Sequence, residues 1–128
     1  MLDRWKVELG LVEAVYGPLE ISPDLAWFII PHWKLPLGWS KSKTAVLVLI
    51  PPGYPVTPPD NFYADVDLRL AGEGMPGNAG PESQAGRQWL RFSYHVEGAD
   101  WKSHAEPEKG HNLLTFLQGV ATRLKEAS

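Results

Sequence analysis

The sequence predicts an α+β fold with a helix at each end of an antiparallel sheet. Near both ends of the chain, apolar residues recur at steps of three and four. Between them, runs of β-branched and aromatic residues alternate with turns rich in glycine and proline. The 128 residues, 44% of them hydrophobic, suffice for one domain that buries its own core. We therefore predict a single domain over residues 1–128.

The two helices follow from apolar stripes. In residues 2–16 one stripe contains Leu2, Trp5, Leu9, Val12 and Tyr16, and a Gly-Pro pair then ends the helix. The charged residues of this segment lie largely off the stripe: Arg4, Lys6, Glu8 and Glu13. Near the other end, Asn112 predicts an N-cap. The helix after it carries a second stripe of Leu113, Phe116, Leu117, Val120 and Leu124.

The strands are predicted between these helices, at residues 26–30, 44–50, 61–68 and 88–95. Pro31 closes the first strand, and residues 32–43 form a short edge strand and a loop. Residues 51–59 contain five prolines, which predicts a stiff turn. Residues 71–86 are rich in glycine and predict a long flexible loop. The result is a four-stranded antiparallel sheet, with room for a further short strand near Trp89.

Composition excludes several function classes. Twelve Lys and Arg against fifteen Asp and Glu give a net charge of −3, which disfavours nucleic-acid binding through bulk charge. The chain has no cysteine, so disulfides, thiolate metal sites and cysteine nucleophiles are excluded. No signal peptide or membrane span is apparent, so we expect a cytoplasmic protein with no membrane partner. No cofactor is indicated.

One motif resembles a known family. The turn at residues 54–59 reads Tyr-Pro-x-x-Pro-Pro, comes directly after the strand predicted at residues 44–50, and resembles the signature of ubiquitin-conjugating enzymes and their inactive relatives. A tryptophan, Trp101, precedes the last helix as in that superfamily. Further stretches look like its bacterial family-E branch, namely Leu-Pro-Leu-Gly-Trp at 35–39, Gly-Arg-Gln-Trp at 86–89 and His-Asn-Leu-Leu-Thr-Phe-Leu at 111–117.

The resemblance implies a ubiquitin-conjugating-enzyme-like fold and two partners. These are a ubiquitin-like protein and an activating-enzyme-like protein, beside which members of that branch are usually encoded together with a deconjugating peptidase. It also implies contact residues. Trp39, flanked by Lys41 and Lys43, could anchor a partner, although Trp39 could equally fold over the sheet edge. Tyr54 and Trp101, the aromatic residues of the resemblance, and Asn78 in the glycine-rich loop complete the candidate binding residues.

The sequence departs from the family at the catalytic cysteine. Active members have a cysteine eight residues before the tryptophan, and here that position is Ser93. Their His-Pro-Asn signature would fall near residues 83–86, where it is missing, although Asn78 could approach the site. Ser93 allows three interpretations: a non-catalytic member, a serine exchanged for cysteine that traps an oxyester, or an ordinary strand residue. If the site is active, His95, two positions away on the same strand face, is the candidate base.

Two other classes of function remain open. His95, His104 and His111 lie near several carboxylates, but their spacing matches no metal motif, so we expect no metal. Six tryptophans could instead form a sugar-stacking surface, with Trp33, Trp39 and Trp89 partly exposed. The carbohydrate-binding module is thus the alternative from a different class.

Overall fold

The architecture is one antiparallel sheet with both helices on the same face. The computed structural model describes residues 2–128. The helices are α1 (Leu2–Tyr16) and α2 (Leu113–Lys125), and a short 3-10 turn covers Gly98–Asp100. The strands are β1 (Glu20–Ile21), β2 (Trp27–Lys34), β3 (Lys43–Leu49), β4 (Phe62–Asp65), β5 (Ala79–Gln84) and β6 (Arg87–Phe92). They form a six-stranded sheet of order β1-β2-β3-β4-β6-β5, antiparallel throughout.

The predicted helices are confirmed. In α2 the whole predicted stripe is buried, and Asn112 caps the helix: its side chain accepts from the Thr115 amide while the Thr115 hydroxyl accepts from the Asn112 amide. In α1 the stripe residues Leu9 and Val12 are buried against the sheet. Glu8 corrects the prediction for α1, because it is fully buried instead of lying on a solvated face.

The sheet corrects the prediction of four strands. Residues 71–86 do not form one long loop, since β5 and β6 make a hairpin there. Its two-residue turn has positive φ at both Ala85 (49°) and Gly86 (77°), the geometry that suits a tight hairpin. Composition hides β5 because it contains Gly80 and Pro81 and little apolar mass. It is an edge strand that pairs only with β6, where a proline is tolerated.

The other strand boundaries also shift. Pro31 does not end its strand, because β2 continues to Lys34 with a register irregularity between Ile30 and Trp33. A proline is accommodated at such a position, where the regular ladder is interrupted. The strand predicted over 61–68 ends at Asp65. The chain turns there, and the Leu68 amide donates to the Asp65 carbonyl at 3.0 Å. The strand predicted over 88–95 is β6 and ends at Phe92.

The sheet has two different apolar faces. The inner face packs against both helices and holds the main core, which includes Phe28, Phe62, Phe92 and Phe116. The outer face carries a smaller cluster, here called the outer-face cluster. It consists of Ile29, Leu47, Tyr63 and Trp89, flanked by Trp27, Ala45 and Leu49. Within residues 2–128, neither helix has the length and apolar character needed to cross a bilayer.

Candidate functional site

The proline-rich turn is held at its centre by Tyr54. Its ring is buried and stacks on Trp5 of α1, with 5.3 Å between ring centroids. Its hydroxyl donates to Glu8 Oε1 at 2.5 Å. On the other side, the Trp101 indole donates to the Pro55 carbonyl at 2.8 Å. Tyr54 and Trp101 therefore fix the turn between α1 and the segment that leads into α2.

Glu8 connects this turn to both helices. Its Oε2 lies 2.6 Å from Arg4 Nε, and its Oε1 also accepts from the Leu113 amide, the first of α2, at 2.7 Å. An anion is favourable there because helix N-termini present unpaired amides and a positive dipole end. Burial raises the pKa of Tyr54, and the adjacent Glu8 raises it further, so the hydroxyl remains a donor.

Ser93 lies directly after β6 and is exposed to solvent. Its amide donates to the Asn78 carbonyl at 2.9 Å, which extends the β5–β6 ladder by one pair. The structure thus brings together Ser93 and Asn78. The contact is between backbone atoms, and Asn78 has a positive φ of 56°.

His95 has a partner that sequence reasoning missed. Its Nδ1 contacts Asp60 Oδ1, and both side chains are about two-thirds exposed, at 64% and 66%. A carboxylate can only accept, so Nδ1 is the donor of this contact, and in a neutral imidazole Nε2 then carries the lone pair that a base requires. Asp60 precedes β4 and His95 follows β6, so only the β4–β6 pairing reveals that they are neighbours.

The residues described show no hydrogen bond between Ser93 and His95. The backbone between them is occupied by a different contact, in which Tyr94 and Asn61 exchange bonds: the Asn61 amide donates to the Tyr94 carbonyl at 2.7 Å, and the Tyr94 amide donates to Asn61 Oδ1 at 3.2 Å. An activated serine requires its base within hydrogen-bond reach. A nucleophile paired with its base is therefore not assembled in this conformation.

The proposed anchor at Trp39 is corrected by its burial. Trp39 is only 6% exposed, and its indole donates to the Leu124 carbonyl at 2.9 Å. The indole folds inward because it finds both an apolar contact with Phe92 and an acceptor at the end of α2. Lys41 pairs with Asp65 at 3.1 Å and Asp67 at 2.6 Å, which raises its pKa, whereas Lys43 is exposed.

Tyr54 and Trp101 are likewise buried, at 4% and 6% exposure, so their aromatic rings brace the fold and offer little surface to a partner. Burial also argues against the alternative of a sugar-stacking surface. Trp33 and Trp89, predicted to be partly exposed, are 4% and 0% exposed. Trp89 is covered by the Arg87 guanidinium, 3.8 Å from its ring centre. An exposed tryptophan platform at these positions is therefore ruled out.

Two further histidines, His104 and His111, accept hydrogen bonds from nearby backbone amides. His104 Nδ1 accepts from the Glu106 amide and His111 Nδ1 from the Lys102 amide, both at 2.9 Å. His111 also stacks on Trp101. No group of three or more potential metal-ligating side chains comes together in the part of the chain that the structure describes. Residues 83–86, where the family's His-Pro-Asn signature would fall, form the end of β5 and the two-residue β5–β6 turn.

These features describe an α+β protein similar to ubiquitin-conjugating (E2) enzymes. It has the proline turn and the supporting tryptophan of those enzymes but no catalytic thiol. The sequence model of a protein family, prokaryotic E2 family E, matches residues 16–127, and the chain belongs to this family. The match covers the sheet, the proline turn, Ser93 and all of α2. No curated protein and no solved structure matches the chain.

Proposed function

We propose that this protein binds a ubiquitin-like protein, its activating-enzyme-like protein, or both, in a bacterial conjugation pathway, without forming a thioester. The single observation that carries the proposal is the absence of cysteine from an E2-family chain. Every E2 thioester requires a thiolate nucleophile, and none of the 128 residues supplies one. Cytoplasmic location is part of the same proposal.

The chemistry at Ser93 supports a binding role. A serine hydroxyl ionises far above neutral pH and attacks a carbonyl only when an adjacent base accepts its proton. Ser93 is exposed and its amide, not its hydroxyl, makes the contact with Asn78. The retained Tyr54 and Trp101 contacts support the turn itself, which is a structural element independent of the thiol.

The Asp60–His95 contact favours a second candidate function, oxyester formation at Ser93. In this reaction the Ser93 oxygen attacks the thioester carbonyl of a charged activating enzyme. The new C–O bond forms, the C–S bond breaks, and the hydroxyl proton passes through His95 Nε2 to the departing thiolate. For this step His95 must come within hydrogen-bond reach of the Ser93 hydroxyl. That requires the exposed segment after β6 to rearrange.

Denaturing mass spectrometry after incubation with a charged activating enzyme distinguishes the two functions. We expect no covalent adduct on the wild-type chain, while the uncharged ubiquitin-like protein or the activating enzyme is retained in a pull-down. An adduct that disappears in both Ser93→Ala and His95→Ala contradicts the binding role and establishes the oxyester. Failure of the chain to retain either protein contradicts both candidates.

A further inference from the structure

The outer face of the sheet ends in an open cleft of about 700 Å³. Its floor is formed by Trp27, Leu49 and Tyr63, which belong to or flank the outer-face cluster. That cluster contains only strand residues, so within residues 2–128 no helix covers the floor. The volume lies in the range of roughly 300–1,000 Å³ typical of ligand pockets. The cleft therefore has the size and the apolar floor of a binding site.

The walls of this cleft are fixed by the fold. Pro51 and Pro52 form one side, where their rings restrict the backbone. Gln84 and Ala85 of the hairpin turn form another. The Gln84 carbonyl accepts from the Trp89 indole at 3.0 Å, and its side chain donates to Glu82 at 2.7 Å. Because both walls are held by such constraints, the cleft is formed before any ligand binds.

The charged residues that line the cleft are acidic. Asp24 and Asp60 both line the cleft, and its described lining contains no lysine or arginine. Hydrogen bonds from Ser22 and from the Ala26 amide lower the pKa of Asp24, which keeps this carboxylate ionised at neutral pH. Asp60 contacts His95 through Oδ1, so Oδ2 remains to accept from a ligand.

From this arrangement we infer that the cleft binds a lysine- or arginine-bearing segment of a partner protein. The aliphatic stem of such a side chain packs on Trp27 and Leu49, the half-buried apolar residues of the floor, as long cationic side chains do on apolar surfaces. The cationic head reaches the carboxylates of Asp24 and Asp60, and the Trp27 indole adds cation–π attraction. An acidic segment meets like charge at the same positions and is rejected.

The inference is independent of the proposed conjugation role, and its test uses neither conjugation partner. The probe is a capped six-residue peptide with a leucine between two lysines, titrated into the ¹⁵N-labelled full chain and followed by NMR. We expect shift changes at the amides of Ala26, Leu49 and Ala85 and at the Trp27 indole, weakened by added salt. A matched peptide with glutamate in place of both lysines is expected to leave these signals unchanged.

Three variants of the chain complete the design. Asp24→Asn with Asp60→Asn is expected to weaken peptide binding by about fivefold, equivalent to about 1 kcal/mol. The matched pair Asp100→Asn with Glu108→Gln removes the same charge from exposed residues outside the cleft and is expected to bind as the wild type does. Ala26→Leu adds bulk at an exposed lining position and is expected to block binding.

Four results of the peptide titrations overturn the inference. They are equal binding of the glutamate peptide, an absence of shift changes, shifts confined to other surfaces, and unchanged affinity in the Asp24→Asn, Asp60→Asn variant. Concentration-dependent broadening of the cleft signals without peptide also overturns it, because a second copy of the chain is then the occupant. The α2 signals report whether each variant is folded, so a loss of binding through unfolding is recognised directly.

Discussion

At the scale of single residues, Glu8 joins the proline-rich turn to both helices. Burying an ionised carboxylate costs several kcal/mol unless partners compensate for the lost water. Glu8 finds them in Arg4, the Tyr54 hydroxyl and the Leu113 amide. The helical spacing placed Glu8 off the apolar stripe, and the sequence held no sign of its burial, because two of its partners lie 46 and 105 residues away.

The hydroxyl of Tyr54 is the simplest part of this network to test. Tyr54→Phe leaves Glu8 with one donor fewer and is expected to lower the free energy of unfolding by about 1–2 kcal/mol. Tyr54→Ala also removes the buried ring and is expected to cost on the order of 3 kcal/mol. Chemical unfolding of the purified chain measures both changes.

Tyr16→Phe is the matched control, because Tyr16 stacks on Trp33 and the described residues show no hydrogen bond from its hydroxyl. We expect this control to unfold within about 0.5 kcal/mol of the wild type, as substitutions that remove no specific interaction do. Equal stability of Tyr54→Phe and the wild type contradicts a role for the Tyr54–Glu8 bond.

At the scale of secondary-structure elements, the spacing of apolar residues predicted those helices and strands that bury an apolar face. Both helices and β3 were predicted because their stripes and apolar runs are set by burial. The β5–β6 hairpin was not predicted, because β5 forms through the tight turn and its pairing with β6, and its composition gives no sign of a strand. At the candidate site, Ser93 and His95 are candidates that the sequence alone suggests, whereas the contact of His95 with Asp60 became visible only from the strand register.

Substituting alanine for the glycine of each helix is expected to change stability in opposite directions. A Cβ at Gly10 in α1 meets no atom within 4 Å, so Gly10→Ala is expected to raise stability by about 0.5–1 kcal/mol through reduced backbone entropy. A Cβ at Gly119 in α2 falls 1.8 Å from the Tyr94 hydroxyl oxygen. Gly119→Ala is therefore expected to lower stability by about 1–3 kcal/mol.

Urea unfolding of the two variants beside the wild type gives the comparison. Each is the other's control, since both exchange a helical glycine for alanine and differ only in the space available. If Gly119→Ala stabilises the chain as Gly10→Ala does, the close packing of Tyr94 against α2 is contradicted.

At the scale of the whole molecule, two segments that the sequence predicted as separate partner contacts lie side by side. The Ala71 amide donates to the Gly38 carbonyl and the Ser40 amide to the Arg69 carbonyl, each at 2.8 Å. Trp39 also forms an isolated bridge with Leu70. Residues 38–43 and the loop ahead of β5 therefore form one continuous surface, and a single partner can cover both.

Hydrogen exchange tests whether this surface meets a conjugation partner. On binding the ubiquitin-like or the activating-enzyme-like protein, amides in residues 38–43, in residues 71–78, or in both are expected to exchange more slowly. The two segments should respond together because they are hydrogen-bonded to each other. Slowed exchange only in α2, with both loops unchanged, places the partner on a different face.

The edges of the sheet have a consequence for the protein's behaviour in a crowded solution. On one side the last strand is β5, in which Pro81 lacks an amide proton, and on the other it is β1, which has only two residues. Exposed strand edges template aggregation when they are long and regular, and neither edge meets that description. Both edges of the sheet thus resist the growth of intermolecular sheets, one because it is short and the other because a proline interrupts its row of amides.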